Sequence, residues 1–357
     1  MKQNSFHQFD DPPNIIFITA DDLGYGDLGS FGQEYIQTPR LDEMAEQGMR
    51  FTNFYSGSTV CAPARSVLMT GQHTGHTLIR GNFPAVGGQE GIGRGAQRLS
   101  LREEDVTVAE VLKHAGYTTA MIGKWGLGEP STTGTPNRKG FDYFFGFMNQ
   151  NRAHSYHPEF IWRNHIRYEL PGNRDGARGQ YTEDLYTSEA LTFIREQAET
   201  DEPFFLYLPH QIPHSEMWVP EESMEPYRDQ FDDDVAAYAG MVSRLDRNTG
   251  ALLDLLRELD LAKNTLVIFT SDNGTHSSED GYDPEPLKSS GPLRGIKRDL
   301  YEGGIRVPMI AWWPGKIEAG VRVIMLPIGR MLCRRSHNWL VRALRITLMG
   351  SHSCPRY

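Results

Sequence analysis

The sequence predicts an α/β protein with a mostly parallel sheet sandwiched by helices. Three observations predict it. Short β-branched apolar runs recur along the chain, segments of helical spacing separate them, and polar residues follow several of the runs directly. Strands that alternate with helices bury a sheet on both faces, because each crossover lays a helix against it. A sheet of this kind carries its ligand site beyond the carboxyl ends of its strands.

The elements follow in order. Asn14 to Ala20 is apolar and β-branched, so it reads as a buried strand, with Asp21 and Asp22 at its end. Thr38-Pro39-Arg40 opens a helix that runs through Met44 and Ala45 and stops at Gly48. Val106 to His114 has helical spacing and stops at Gly116, and Tyr117 to Ile122 is a strand leading to Gly123-Lys124-Trp125. Tyr186 to Ala198 reads as a helix, and Phe204 to Leu208 as a strand running into His210-Gln211-Ile212-Pro213-His214. Val235 to Leu259 is a long amphipathic helix. Leu266 to Thr270 is a strand ending at Ser271-Asp272-Asn273-Gly274, and Val307 to Trp312 is another. Arg138 to Gln180 is irregular and rich in aromatics, Gly, Arg and His; it reads as an insertion over the site.

The 357 residues suit a large α/β domain plus a smaller one. A formal net charge of −10 argues against general nucleic-acid binding, so any positive field is local to a site. Three cysteines, Cys61, Cys333 and Cys354, do not make a disulfide framework. No apolar run is long enough to span a membrane. Met1 to Pro13 lacks the basic start and apolar core of a signal peptide, which as written predicts a cytoplasmic chain.

Four predicted strands deliver polar groups at their carboxyl ends: Asp21 and Asp22, Lys124, His214, and Asp272 with Asn273. The hard oxygens of Asp21, Asp22, Asp272 and Asn273, with one atom from residue 61, form a calcium- or magnesium-type shell. Cys61-Ala62-Pro63-Ala64-Arg65 is followed by Met69-Thr70-Gly71. The three fixed residues of C-x-P-x-R occur by chance in roughly one chain in a hundred of this length, so the run needs company. It has company in Gly123-Lys124-Trp125, Pro213-His214, Ser271 to Gly274, Leu293-Arg294-Gly295 and Tyr301 to Pro308, in that order.

From about Asn14 to about Arg322 the chain resembles the type I, formylglycine-dependent sulfatases of the alkaline phosphatase superfamily. The resemblance implies that a maturation enzyme oxidises Cys61 to formylglycine. One hydroxyl of the hydrated aldehyde would attack the sulfur of a sulfate ester, and the second would let the product expel sulfate. It implies Ca2+, or Mg2+, on the shell above. It also implies anion binding by Arg65, Lys124 and Lys297, and proton donation to the leaving oxygen by His214, a role that Lys297 could share. Three Asp, one divalent ion and three bases sum to about +2, which suits a sulfate monoanion in an acidic protein. The polar and aromatic run from Asn149 to His157 suits a sugar ring, with Arg152 and His154 as the substrate contacts it offers and His276, outside the run, as a third. A sulfated carbohydrate is the expected substrate. Two other readings stand beside it: a phosphomonoester or phosphonate ester hydrolase of the same superfamily, and an inactive relative that binds calcium or anionic glycan. Most relatives are exported, which sets the resemblance against the cytoplasmic reading.

The pattern departs twice. Most relatives carry a histidine two residues after the lysine, whereas this chain has Gly126; His76, His154 and His276 are the histidines that could take over its task. From Val323 to Tyr357 the chain has clustered Arg and no clean period, where relatives continue into a small antiparallel C-terminal domain. Back-translation of this tail permits family-like sequence in the neighbouring frame. The expectation is a single lost base near the Arg322 codon, giving a catalytic domain over 14–322 and a frameshifted tail over 323–357.

Overall fold

The computed structural model describes residues 12–82, 98–276 and 282–324. The described residues form ten strands: β1 (Asn14–Ala20), β2 (Met49–Tyr55), β3 (Thr118–Lys124), β4 (Tyr143–Phe147), β5 (Phe160–Arg163), β6 (Ile166–Glu169), β7 (Phe204–Pro209), β8 (Thr265–Ser271), β9 (Arg306–Trp312) and β10 (Val321–Val323). Their helices are α1 (Pro39–Glu46), α2 (Cys61–Thr70), α3 (Val108–His114), α4 (Thr182–Ala198), α5 (Glu221–Met224), α6 (Asp233–Glu258) and α7 (Glu302–Ile305).

One sheet holds all ten strands, in the order β10-β2-β9-β8-β1-β7-β3-β4-β5-β6. Its centre is parallel: β8, β1, β7, β3 and β4 run together, with Ile16 opposite Val267 on one side and Leu206 on the other. Antiparallel pairs flank it, β8–β9–β2 on one side and β4–β5–β6 on the other. The expectation of a mostly parallel sheet between helices therefore holds, with mixed margins.

Every residue of β1 is buried. Ile16 and Ile18 pack into the core shared with α1, α4 and α6, while Ile15 and Phe17 pack into the core beneath α2 and α3. That alternation explains why β1 reads as a continuous apolar run: both of its faces need burial, each large side chain contributing about 1.5–3 kcal/mol. Caps fix the helix starts. Thr107 and Glu110 form a reciprocal capping box on α3, and Asp232 accepts from the Val235 N–H at the head of α6.

Two expectations need correction. The segment from Arg138 to Gln180 is not an irregular insertion throughout, because β4, β5 and β6 extend the sheet from within it. Helix α4 starts at Thr182, four residues before the predicted Tyr186; its first turn carries Glu183, which is buried against Gln211. The proposed boundary at Arg322 falls inside β10, whose Arg322 pairs with Arg50 of β2. Residues 1–11 and 325–357, including Cys333 and Cys354, lie outside the described residues, as does most of the tail expected to be frameshifted. No helix of the described residues is long and apolar enough to cross a membrane.

Candidate functional site

The parallel strands end at one rim, and the predicted residues meet there. Past β1 the chain turns sharply, with Asp22 at φ 68°, a left-handed conformation that is uncommon for a residue with a side chain. The turn is held from β8. The Asp22 N–H donates to Asp272 Oδ1 at 3.2 Å, and the Leu23 N–H to Ser271 Oγ at 3.0 Å. Asn273 Nδ2 donates to Asp22 Oδ1 at 2.7 Å. Asp21, Asp22, Asp272 and Asn273 are all buried.

Cys61 opens α2 and points its Sγ at the pair, 3.3 Å from Asp21 Oδ1 and 3.9 Å from Asp22 Oδ1. One turn on, Arg65 is buried; its Nε donates to Asp272 Oδ2 at 2.9 Å and its Nη1 to the Lys124 carbonyl at 2.6 Å. Lys124, at the end of β3, donates to Asp21 Oδ2, and Lys297 donates to Asp22 Oδ2 at 2.6 Å. Each buried carboxylate thus has its own cation. Burial alone would raise the Asp21 carboxyl, but the charges of Lys124, Arg65 and Lys297 hold it well below the usual carboxylate range. Burial and the neighbouring Asp21 push Asp272 up to about 7. Burial, then Asp21, drives the Cys61 thiol well above its ordinary value, so the unmodified thiol is a poor nucleophile.

His214 lies five residues past the end of β7. Its Nδ1 is 2.6 Å from the Ser215 carbonyl, so Nδ1 is the atom that carries hydrogen. Its Nε2 then accepts from Lys297 Nζ at 3.1 Å. Burial and Lys297 keep the ring neutral, with its pKa well below that of an ordinary histidine. Within this pair the hydrogen between the two side chains is on Lys297 Nζ; the sequence reading placed the acid role first on His214 and let Lys297 share it.

One donor atom each from Asp21, Asp22, Cys61 and His214 lies within 4.8 Å of the others, a group able to hold a metal ion. The shell expected from sequence contained Asp272 and Asn273 instead of His214. Asp272 is engaged by Arg65 and by the Asp22 N–H, while Asn273 keeps a buried Oδ1 with no hydrogen-bond partner. A buried orphan oxygen beside two carboxylates suits a hard cation.

The expected substrate contacts separate. His154 comes to the site: its ring stacks on His214 at 4.1 Å, and its buried Nε2 has no hydrogen-bond partner. Burial, then His214 and Lys124, lower it to about 2. Arg152 stacks on the Phe160 ring at 4.0 Å and has Arg167 and Glu159 as its charged neighbours, so it does not join the carboxylates. His276 is buried with its Nε2 3.2 Å from the Pro213 carbonyl, packed near the Tyr238 and Tyr282 rings. His76 packs on His73, beyond the far end of α2 from Cys61.

Two residues at the site, Arg98 and Asp27, were not singled out in the sequence, and Gln150 entered only within the polar run from Asn149 to His157. Arg98 is held by its N–H to Glu129 Oε1 at 3.1 Å and by its side chain to Asn151 Oδ1, with Glu129 and then Cys61 as the acidic groups nearest its charge. Gln150 is buried, and its Oε1 lies 3.1 Å from where a Cβ on Gly126 would stand. Gly126 itself is at φ 78°. Asp27 is buried behind Asp22; its Oδ2 accepts from Gly24 N at 2.6 Å and from the Tyr238 hydroxyl at 2.6 Å, and that hydroxyl is 3.3 Å from the Asp22 carbonyl. The Asp27 spacing within Asp22-Leu23-Gly24-Tyr25-Gly26-Asp27 was the available signal, since an Asp five residues on can cap such a turn.

A mixed sheet that gathers buried acids and bases at its strand ends, facing a helix headed by Cys61, defines the alkaline phosphatase-like class of α/β proteins. Within that class the chain belongs to the sulfatase family, whose model, described as Sulfatase, matches residues 13–337. It is 36% identical over 322 residues to the N-acetylgalactosamine-6-sulfatase of Canis lupus familiaris, covering 87% of this chain and 58% of that protein. It is 34% identical over 337 residues to arylsulfatase A of Homo sapiens, covering 87% of this chain and 61% of that protein. The chain thus spans about three-fifths of the length of these curated relatives. Among solved structures, Ps i-CgsB in complex with k-i-k-neocarrahexaose superposes with a TM-score of 0.77 at 28% identity, over 90% of this chain and 70% of that one.

Proposed function

We propose that this chain hydrolyses sulfate esters of carbohydrates through a formylglycine formed at Cys61. The observation that carries the reading is the setting of Cys61: a buried, poorly acidic thiol at the head of α2, against Asp21 and beside three cations. A thiol kept protonated has little use as a nucleophile, whereas a hydroxyl of the aldehyde hydrate at the same position is a hard oxygen that a cation held by Asp21 and Asp22 would activate. Asp21, Asp22, Asp272, Asn273 and residue 61 would hold Ca2+, with Mg2+ the other ion that suits the oxygens. That ion supplies positive charge to polarise the ester oxygens.

The chain's own groups do the rest. Arg65, Lys124 and Lys297 fix the ester and balance its developing charge. Lys297 donates a proton from Nζ to the leaving oxygen, and His214 orients that amine through Nε2. His154 lies beside this pair, where a substrate oxygen can meet its Nε2. A carbohydrate substrate agrees with the printed names of the relatives, one an N-acetylgalactosamine-6-sulfatase and another seen with a neocarrahexaose. A formylglycine-generating enzyme is the partner required for maturation. The residues after Arg322 we read as the product of a shifted frame.

The test is to express the chain with a formylglycine-generating enzyme, weigh the peptide containing Cys61, and assay sulfate release. Conversion lowers the mass by roughly 18 Da. Release of sulfate, and not of phosphate from the matching phosphate ester, is expected. Full conversion with no release from any sulfated sugar or aryl sulfate would overturn the proposal.

A further inference from the structure

We propose that Arg98 and Gln150 form a subsite beside Cys61 for a second anionic group, carried by the substrate next to its scissile sulfate. The inference rests on the sulfate-ester reading above and adds a substrate class to it: sugars that bear two anionic groups close together.

Charge pairing is the first argument. Arg65, Lys124 and Lys297 each hold a buried carboxylate of the site. Arg98 makes no ion pair within 4 Å among the described residues; Glu129, and after it Cys61, are the acidic groups nearest its charge. Among the described residues its buried Nη1 has no hydrogen-bond partner. A buried donor left unmet is costly, so an acceptor on the substrate would stabilise this arrangement.

Position is the second. The Arg98 backbone is tied to Glu129, which also accepts from Asn149 Nδ2 at 2.7 Å, and its guanidinium is tied to Asn151. The side chain is thereby set in place before any ligand binds. Between Asn149 and Asn151 sits Gln150, buried, with an Oε1 that also lacks a partner. That oxygen accepts a hydrogen, so it suits a sugar hydroxyl, while the guanidinium suits a carboxylate or a sulfate. Gly126 adjoins Gln150 and contributes no side chain. Arg98 does not contact Asp21, Asp22 or Asp272, which places it with the flank of the substrate and not with the sulfate being cut.

The experiment is calorimetry on the full chain with Cys61 left unconverted, so that no turnover is needed. The probes are N-acetylgalactosamine 6-sulfate and N-acetylgalactosamine 4,6-disulfate. The disulfate is expected to bind about tenfold more tightly, one charged hydrogen bond's worth. In R98Q the ratio should fall towards one, and R98K should keep part of it. Equal affinities in the parent chain, a preference that survives in R98Q, or no binding of either sugar would overturn the proposal. Failure of the converted protein to release sulfate is a separate result: it would overturn the hydrolase reading and leave this ratio standing.

Discussion

Replacing Asp27 by Asn should make the protein more stable at neutral pH and leave it little changed in acid. Asp27 is buried, and that burial pushes its carboxyl from 3.8 up to about 6. The folded chain therefore binds this proton more tightly than the unfolded chain does. The stability tied to protonated Asp27 is full below pH 3.8 and is lost as pH rises through about 6. A shift of this size corresponds to about 3 kcal/mol at pH 8. Asn has no charge to bury and avoids that loss. Against the gain, the amide oxygen is a weaker acceptor for the Gly24 N–H and the Tyr238 hydroxyl, which costs about 1 kcal/mol. The net expectation is about 2 kcal/mol of stabilisation in D27N at pH 8, shrinking to zero or a slight loss near pH 4. Urea unfolding of both proteins at several pH values between about 4 and 8 measures it, because the difference between them removes every other titrating group. A difference that is the same at both ends of that range would refute the reasoning, and with it the claim that burial outweighs the hydrogen bonds Asp27 accepts.

Three further outcomes are expected. Gly274→Ala should destabilise the fold by about 3 kcal/mol or more, because a Cβ there would lie 1.8 Å from the Gly303 carbonyl oxygen and no rotamer relieves a backbone clash; a thermal midpoint within about 1 °C of the parent would contradict this. Lys297→Met should lower kcat on a sulfated sugar by about 10²–10³-fold and on 4-nitrophenyl sulfate by clearly less, since a good leaving group needs no proton; equal losses would assign Lys297 to sulfate binding instead. Resequencing the gene should reveal one additional base near the Arg322 codon that restores a family-like frame, and clean reads without it would end the frameshift reading.

Much of the site was legible because it is built from strand ends. A strand buried on both faces shows itself as an apolar run, so the polar residues that follow it stand out, as Asp21, Lys124 and Asp272 do. Strand β2 was harder: in Met49–Tyr55 a bulge between Phe51 and Phe54 breaks the alternation that would have marked it. The run from Tyr143 to Arg163 hid its strands because Gly, Arg and aromatic residues there serve both sheet and loop. The order of proton affinity within the His214–Lys297 pair could not be read at all. It depends on a backbone carbonyl, that of Ser215, meeting one ring nitrogen, and sequence does not encode such an encounter in any spacing. Arg98 was hidden for the same reason, as its partners Glu129 and Asn151 reach it only through the fold.

Gly126 gives the chain a direction in its history. A histidine placed there would have to adopt a left-handed backbone, at a cost of roughly 1–2 kcal/mol, and its Cβ would press on Gln150. Introducing histidine at 126 alone meets both burdens at once: the left-handed backbone, and a shift of the Gln150 side-chain oxygen by a few tenths of an ångström. Substitutions at these two positions should therefore be inherited together, and protein engineers who wish to move the site towards its relatives should exchange the pair and not the single residue.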